Sequence, residues 1–295
     1  MKAREIKEDL LFNTEFMGLL EVMKNIAISQ FRSLQKKRSR FIRFTQLLNG
    51  FFQMVDIRQA PHKLINPKTE KRAIVSITSD EGFMGDLNFQ VVDAAIMKGG
   101  PESAEIIVVG ESGVRYLKDM GRKFTAFKNA ADAEARHTVA VELKNYIMRG
   151  IAEDRFGRVS VYYPNPISFM IQKVEAVELL PLTAFFSPQA QGPGYDQQVI
   201  VESPAEGIIE YLAEEFIEQK LMELLEDSKL SEFAARGAHL ERSGQELAEK
   251  QKRLRAQYFH AYHEVIDKNT RELFSSQIII KRKAKEVSAA LNLKV

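Results

Sequence analysis

Apolar residues in the first 60 positions of the chain recur at the spacing of one helix face. Successive members of the series are three, four or seven residues apart, which keeps them on one side of a helix for many turns. No proline occurs before Pro61, where a helix would have to end. The pattern therefore predicts one long amphipathic helix over residues 1–60. Its predicted apolar face consists of Leu20, Met23, Ala27, Phe31, Leu34, Phe41, Leu48, Phe52 and Val55.

Short β-rich runs alternate with helical patterns between residues 70 and 200. Strand–helix–strand alternation of this kind is typical of a small, largely parallel sheet with helices packed on it. We therefore predict a Rossmann-like α/β domain over residues 70–200. The predicted strands are 73–78, 106–110, 159–163 and 174–182, and the predicted helices are 90–98, 114–120 and 131–151.

The C-terminal part of the chain, from Ala205 to Val295, contains no proline and carries a regular apolar series. The steps in the series alternate between four and three residues, which is the period of a left-handed coiled coil. Gly237 and Gly244 stand in the series. Because glycine is unfavourable inside a helix, they predict the close approach of a partner helix. The series consists of Phe233, Gly237, Leu240, Gly244, Leu247, Gln251, Leu254, Tyr258, Ala261 and Val265.

Neither terminal helix can bury its apolar face alone. The economical arrangement folds residues 205–295 back along residues 1–60 as an antiparallel pair. The predicted fold class is therefore α/β with a long antiparallel coiled coil: the N- and C-terminal helices pair, and a small Rossmann-like α/β domain is inserted between them. A long helical pair of this kind is a mechanical element that transmits force, spans a distance or presents its tip.

Composition and charge exclude several classes of function. The chain has no cysteine, which excludes disulfides, thiolate catalysis and cysteine-ligated metal clusters. The net charge of +2 is too balanced to favour nucleic acid or an anionic membrane as a partner. No run approaches the roughly 20 apolar residues of a transmembrane helix. Charges enter at Lys2 and Arg4 without the apolar core of a signal peptide.

The sequence contains no clear set of catalytic, cofactor-binding or metal-ligating residues. Residues 79–85 follow a predicted strand, but they match neither the dinucleotide-binding nor the P-loop spacing. We expect a structural strand-to-helix turn there, with Asp80 and Glu81 in a solvated or capping role. His260 and His263 share a helix face, but no third ligand is fixed by sequence. We therefore predict no catalytic residue, no cofactor and no metal.

Four motifs, in this order along the chain, resemble the family of F-type ATP synthase gamma subunits. The first helix opens with Arg4-Glu-Ile-Lys7, and the first strand leads into Thr78-Ser-Asp-Glu-Gly-Phe-Met-Gly-Asp-Leu-Asn88. Glu178-Leu-Leu-Pro-Leu182 is similar to the strand that closes the α/β domain in that family. Ser231-Glu-Phe-Ala-Ala-Arg236 is similar to the start of the family's long C-terminal helix.

The resemblance implies a central-stalk, or rotor, subunit without an active site of its own. In that family the paired helices lie in the bore of a hexamer of alpha and beta subunits. The α/β domain lies with the epsilon subunit on the ring of c subunits, and ion flow turns the ring and the shaft. The resemblance also implies a peripheral location on the cytoplasmic side of a bacterial inner membrane. The membrane would be reached only through the complex, and nucleic acid would not be a partner.

The same resemblance implies which residues contact the hexamer. Basic side chains on the first helix would face acidic loops of beta, and the apolar run near the C-terminus would turn in an apolar sleeve. Tyr262, His263 and Asp267 replace residues of the family signature, so the partner hexamer is expected to be divergent as well. The candidate contact residues are Lys24, Arg32, Lys36, Lys37, Arg38, Arg40, Tyr262, His263, Asp267, Ile278, Ile279 and Ile280.

Other functions remain open at the level of sequence. A gamma-like coiled-coil scaffold or tether would use the α/β domain as a recognition head, and a specialised F-type-like ATPase could use the chain as a subunit. A small α/β enzyme with helical arms is disfavoured, because the chain lacks a phosphate loop and a nucleophile pattern. The four ordered motifs favour the rotor over these alternatives.

Overall fold

The computed structural model describes residues 2–36, 38, 62–99, 103–129, 132–184 and 205–292. Helices in these ranges are α1 (Lys2–Gln35), α2 (Leu87–Lys98), α3 (Glu111–Asp119), α4 (Ala133–Ala152) and α5 (Ala205–Asn292). Strands are β1 (Arg72–Ile77), β2 (Glu105–Val109), β3 (Thr125–Phe127), β4 (Arg158–Pro166) and β5 (Gln172–Leu180). A short 3-10 helix covers Leu182–Ala184.

The strands form one mixed sheet in the order β3-β2-β1-β4-β5. The first four strands are parallel, and β5 is antiparallel to β4. This arrangement confirms the predicted small, largely parallel sheet. The sequence pattern does not predict β3, because a strand of three residues is too short for a period to show.

Helices cover both faces of the sheet, which explains why its central strands are continuous apolar runs. Successive side chains of a strand point to opposite faces, so Ile74 and Val75 belong to different clusters. On one face Val75 packs with α4 and the first part of α5, for example with Leu143 and Leu221. On the other face Ile74 packs with Val91 of α2.

The chain divides into two compact units, one of residues 1–22 with 241–295 and one of residues 23–240. In the first unit, α1 pairs with α5 through hydrogen bonds at 3.1 Å from the Asn13 amide to the Leu247 carbonyl and at 2.7 Å from the Gln251 amide to the Thr14 hydroxyl. The less exposed residues of α5 in this unit include the predicted heptad positions Gly244, Leu247, Gln251, Leu254, Tyr258 and Ala261. The prediction is wrong for the last position of the series, Val265, because its side chain is exposed.

In the second unit, the end of α1 packs against α5. Phe31 lies in a cluster with Leu230, Phe233 and Ala234, and its ring meets Phe169 edge to face at 5.2 Å. Phe169 lies in the turn between β4 and β5. The pairing of the terminal helices and the α/β segment between them confirm the predicted fold class. Residues 37 and 39–60 of the predicted first helix lie outside the described residues.

The two glycines of the heptad series have different surroundings. A Cβ atom on Gly237 would lie 2.5 Å from the ring of Phe169, so a larger residue there would force the ring to move. The crowding predicted at Gly237 is therefore present, but the neighbour is a side chain of the β4–β5 turn and not a helix. At Gly244 the prediction is wrong, because a Cβ atom there would have no neighbouring heavy atom within 4 Å.

Candidate functional site: the crevice at the carboxyl edge of the sheet

The strand order reverses beside β1, which creates a crevice at the carboxyl edge of the sheet. From β1 the chain adds β2 and then β3 on one side, whereas β4 pairs with β1 on the other side. Open α/β sheets bind their ligands at such a switch point, outside the carboxyl ends of the strands. This crevice is therefore the first place in the chain to look for a functional site.

The loop after β1 is held by its own side chains. The Asp80 carboxylate accepts a hydrogen bond at 2.7 Å from the amide of Glu111, the first residue of α3. The Ser79 amide donates to the Asn88 side chain at 3.0 Å, and the Gly113 amide donates to the Thr78 hydroxyl at 3.0 Å. These three backbone amides, which could hold a phosphate in another protein, are already satisfied. Of the two roles predicted for Asp80, solvated or capping, it has the capping one, at the start of α3.

Gly110, between β2 and α3, allows this close approach. Its φ angle is 99°, and a Cβ atom there would lie 2.2 Å from the Thr78 carbonyl oxygen. Glycine is the residue that adopts such a conformation without strain and leaves room for a neighbouring backbone. The loops after β1 and β2 are consequently packed directly against each other.

Helix α5 fills the crevice. Every residue from Glu226 to Gly237 is buried. The Ser231 hydroxyl donates to the carbonyl of Pro164, in β4, at 2.7 Å. Asn129, which follows β3, donates to the Thr78 carbonyl at 2.6 Å and to the Glu232 carboxylate at 3.2 Å. The place where a nucleotide would bind in a related α/β domain is thus occupied by this chain's own helix.

Buried ion pairs connect α5 to its surroundings. Arg136 of α4 pairs with Glu226 at 2.7 Å, and the two side chains are 5% and 10% exposed. Lys229 pairs with Glu232 at 2.7 Å, and these side chains are 6% and 2% exposed. Burial raises the pKa of the Glu232 carboxyl above its ordinary value, and the Lys229 ammonium opposes this shift. Paired charges of this kind are tolerated in an interior because each compensates the desolvation of the other.

Further polar contacts come from Arg38 and from the loop after β1. Arg38 pairs with Asp227 at 2.8 Å and donates to the Asn165 side chain at 3.2 Å. Burial raises the pKa of the Asp227 carboxyl, and the Arg38 charge opposes the shift. Arg236 pairs with Glu81 and donates to the Gly82 carbonyl at 3.3 Å.

The candidate contact residues predicted from sequence fall into separate groups. Arg38 lies at the crevice, whereas Arg32 and Lys36 are exposed and Lys24 is half-buried. Lys37 and Arg40 lie outside the described residues. The remaining candidates are exposed on the C-terminal part of α5, and they are Tyr262, His263, Asp267, Ile278, Ile279 and Ile280.

Sequence reasoning missed the charged residues of the crevice. No sequence pattern marks Glu226, Asp227 or Lys229, and Glu232 stands out only as part of the motif of residues 231–236. The available signal was their distribution, because charges in this stretch fall on several faces of the helix, including the face that carries Phe233. That pattern requires polar partners if the helix is buried.

The described part of the chain contains no helix that is both long and apolar enough to cross a membrane.

A family model described as "ATP synthase" matches residues 2–276. The ATP synthase gamma chain of Clostridium acetobutylicum is 32% identical over 176 residues, which are 57% of this chain and 58% of that relative. The ATP synthase gamma chain of Staphylococcus haemolyticus is 23% identical over 279 residues, which are 92% of this chain and 96% of the relative.

A solved structure of the Euglena gracilis mitochondrial ATP synthase, comprising OSCP, F1 and c-ring, contains a chain with the same fold. The TM-score is 0.67 at 15% identity, and the match covers 95% of this chain and 94% of the other. The family model spans nearly the whole sequence, and relatives at modest identity span it as well. The chain therefore belongs to the ATP synthase family, as a divergent member of its gamma chains.

Proposed function

We propose that the chain is the central-stalk (rotor) subunit of a rotary F-type ATP synthase. It couples ion flow through a ring of c subunits to ATP synthesis or hydrolysis in a hexamer of alpha and beta subunits. The observation that carries this proposal is α5, a single helix of 88 residues that contributes both to the α/β unit and to the pair with α1. One continuous element common to both units is what a shaft requires.

The chain would contribute no catalytic group to the complex. Its switch-point crevice is filled by α5, and the amides of the adjoining loop are bonded within the chain. The ATP chemistry belongs to the partner subunits in this proposal. The shaft acts by differential contact, since it can shift the equilibrium of each site only as far as its faces interact differently with the states of that site.

The C-terminal part of α5 is the proposed contact surface with the hexamer. All residues from 262 to 284 are exposed, and the exposed fraction of Ile278, Ile279 and Ile280 lies between 56% and 66%. Exposed apolar clusters of this kind mark interaction sites. Tyr262, His263 and Asp267 lie on the same part of the helix. We propose that the basic residues of α1, such as Arg32 and Lys36, face acidic loops of the beta subunits.

The epsilon subunit and the ring of c subunits are the proposed partners of the α/β domain. The domain would correspond to residues 70–200, flanked by helical segments 1–60 and 205–295. The proposed location is the cytoplasmic side of a bacterial inner membrane, which the chain would reach only through the assembled complex.

The proposal is tested by affinity purification of the tagged chain from its native membranes, with an untagged strain as the control. The expected result is recovery of alpha, beta and epsilon subunits together with ATP hydrolysis. A variant with Ile279→Asp on the proposed contact surface should recover less of alpha and beta but the same amount of epsilon. Recovery of unrelated proteins, without nucleotide-binding subunits and without ATPase activity, would contradict the proposal and leave a scaffold.

A further inference from the structure

We propose that residues 226–236 of α5 bind the α/β domain through directional polar contacts. These contacts prevent α5 from rotating about its own axis relative to that domain. The inference rests on the proposed rotor function and adds to it the residues that carry torque between the shaft and the α/β domain. They are positioning residues, and the segment is called the lock.

The anchors of the lock come from five different parts of the second unit. Glu226 pairs with Arg136 of α4, and Asp227 pairs with Arg38. Ser231 donates to the Pro164 carbonyl in β4, and Glu232 accepts from Asn129, which follows β3. Arg236 donates to the Gly82 carbonyl in the loop after β1. No single neighbouring element therefore decides the rotational setting of the helix.

The anchors are also spread around the helix axis. Each residue turns an α-helix by about 100°, so residues 226, 227, 231, 232 and 236 lie at roughly 0, 100, 140, 240 and 280° around it. Contacts on one side would let the helix roll, whereas contacts in all directions oppose a turn of either sense. A rotation by one residue would displace all of these anchors together.

The chemistry of the anchors suits a lock better than an apolar seam would. The hydrophobic effect is non-directional, so apolar contacts depend less on angle than polar contacts do. Hydrogen bonds and ion pairs depend strongly on distance and angle. Because Glu226 and Arg136 are almost fully buried, separation of the pair would leave two uncompensated charges in the interior, which is strongly unfavourable. The pairs therefore fix the helix at one setting.

A further polar contact, between Lys229 and Glu232, lies within α5 and supports the anchor at Asn129. The Lys229 ammonium compensates the Glu232 charge, and the second oxygen of the Glu232 carboxylate accepts from Asn129. The neutral amide alone would not compensate a buried carboxylate. This arrangement keeps Glu232 available for a directional bond to the α/β domain.

The test measures angular fluctuations of the α/β domain in the assembled complex, immobilised through its hexamer and without nucleotide. The chain contains no cysteine, so Met97→Cys, at a position that is 82% exposed on α2, gives one attachment point for a bead. In the Arg136→Met variant we expect the variance of the bead angle to rise about twofold, since one buried ionic anchor no longer resists twist. Arg158→Met is the matched control, because Arg158 pairs with Glu70 and Glu178 and not with α5.

A double variant separates a lock from a general structural role. In Arg136→Met with Glu226→Met, apolar groups replace both charges, which restores folding stability in comparable cases. If the lock is correct, the double variant should melt at the wild-type temperature, but the variance of its bead angle should stay above the wild-type value, because the directional anchor is still missing. A variance that returns to the wild-type value with the melting temperature would overturn the proposal. The double variant also serves if Arg136→Met alone does not assemble.

The outcome distinguishes this inference from the proposed function. If the wild-type chain assembles with alpha and beta subunits and all variants fluctuate like the wild type, the lock is wrong and the rotor assignment stands. If the wild-type chain forms no such complex, the rotor assignment itself fails and the lock fails with it.

Discussion

In two segments of α5, the burial of the side chains is the opposite of what their polarity would suggest. Residues 226–237 carry five charged side chains, yet every residue in this segment is buried. Residues 262–284 include Phe274 and three consecutive isoleucines, yet every residue there is exposed. Charges are rarely buried unless they are paired, and exposed apolar clusters mark interaction sites. The first segment therefore has its partners within this chain, whereas the second is not covered by any of the described residues and offers an apolar surface to other molecules.

The largest expected effect comes from a buried charge left without its partner. Lys229→Met removes the partner of Glu232, whose side chain is 2% exposed, and we expect a loss of about 3–5 kcal/mol in the free energy of unfolding. Lys268→Met, in the exposed segment, removes the partner of Glu272, and both side chains there are largely exposed. We expect no measurable loss from it, because exposed pairs contribute little. Urea unfolding followed by circular dichroism compares the two, and equal losses would contradict the comparison.

The next effect concerns apolar side chains in the two environments. Leu221→Ala removes a fully buried side chain of the core and should cost about 2–5 kcal/mol. Ile279→Ala should change the stability of the purified chain by less than about 0.5 kcal/mol, because the side chain is exposed. The same unfolding experiment measures both. A large loss from Ile279→Ala would show that the exposed segment is packed within the purified protein.

Substitution of the two heptad glycines should change the stability by smaller amounts and in opposite directions. Gly237→Ala forces a Cβ atom against Phe169, and we expect a loss of about 1–3 kcal/mol from overpacking. Gly244→Ala meets no neighbour within 4 Å and should stabilise the helix by about 0.5–1 kcal/mol. Melting temperatures of the two variants are the measurement. Equal shifts of the same sign would show that Phe169 does not define the space at Gly237.

The smallest expected effect is a dependence on pH. Burial raises the pKa of Glu232 above 4.5, so its contribution to stability is full below pH 4.5 and is lost as the pH rises through the raised value. The stability of the wild type relative to Glu232→Gln should therefore fall as the pH rises above 4.5 and through the raised pKa. Glu70→Gln is the control of opposite sign, because the Arg158 hydrogen bond lowers the pKa of Glu70. Parallel pH profiles for the two variants would contradict these shifts.

The fold could be predicted from the sequence in segments where apolar residues recur regularly over many positions. The apolar face of α1 at Leu20, Ala27 and Phe31, and the heptad series of α5 up to Ala261, rest on regular spacing that packing then satisfies. The series continues to Val265 in sequence, but the side chain there is exposed. A local pattern states which face is apolar, and it does not state whether a partner covers it.

The crevice could be predicted only in part. The turn after β1 follows from local turn chemistry, because glycine has a fixed use there, whereas the helix that Asp80 caps begins 31 positions further along the chain. The pairs of Arg136 with Glu226 and of Arg38 with Asp227 join residues that are 90 and 189 positions apart. Nothing in local spacing selects such partners, and the fold decides them. The same holds for Phe169, whose contact with Gly237 depends on the β4–β5 turn.

The most direct test of the rotor assignment is rotation itself. The chain with Met97→Cys would be assembled with its alpha and beta subunits, the hexamer fixed to a surface, and a bead attached to the cysteine. We expect continuous rotation of the bead in one direction when ATP is supplied, and arrest of the rotation when ATP is removed. A complex that hydrolyses ATP while the bead shows only unbiased fluctuations would contradict the assignment.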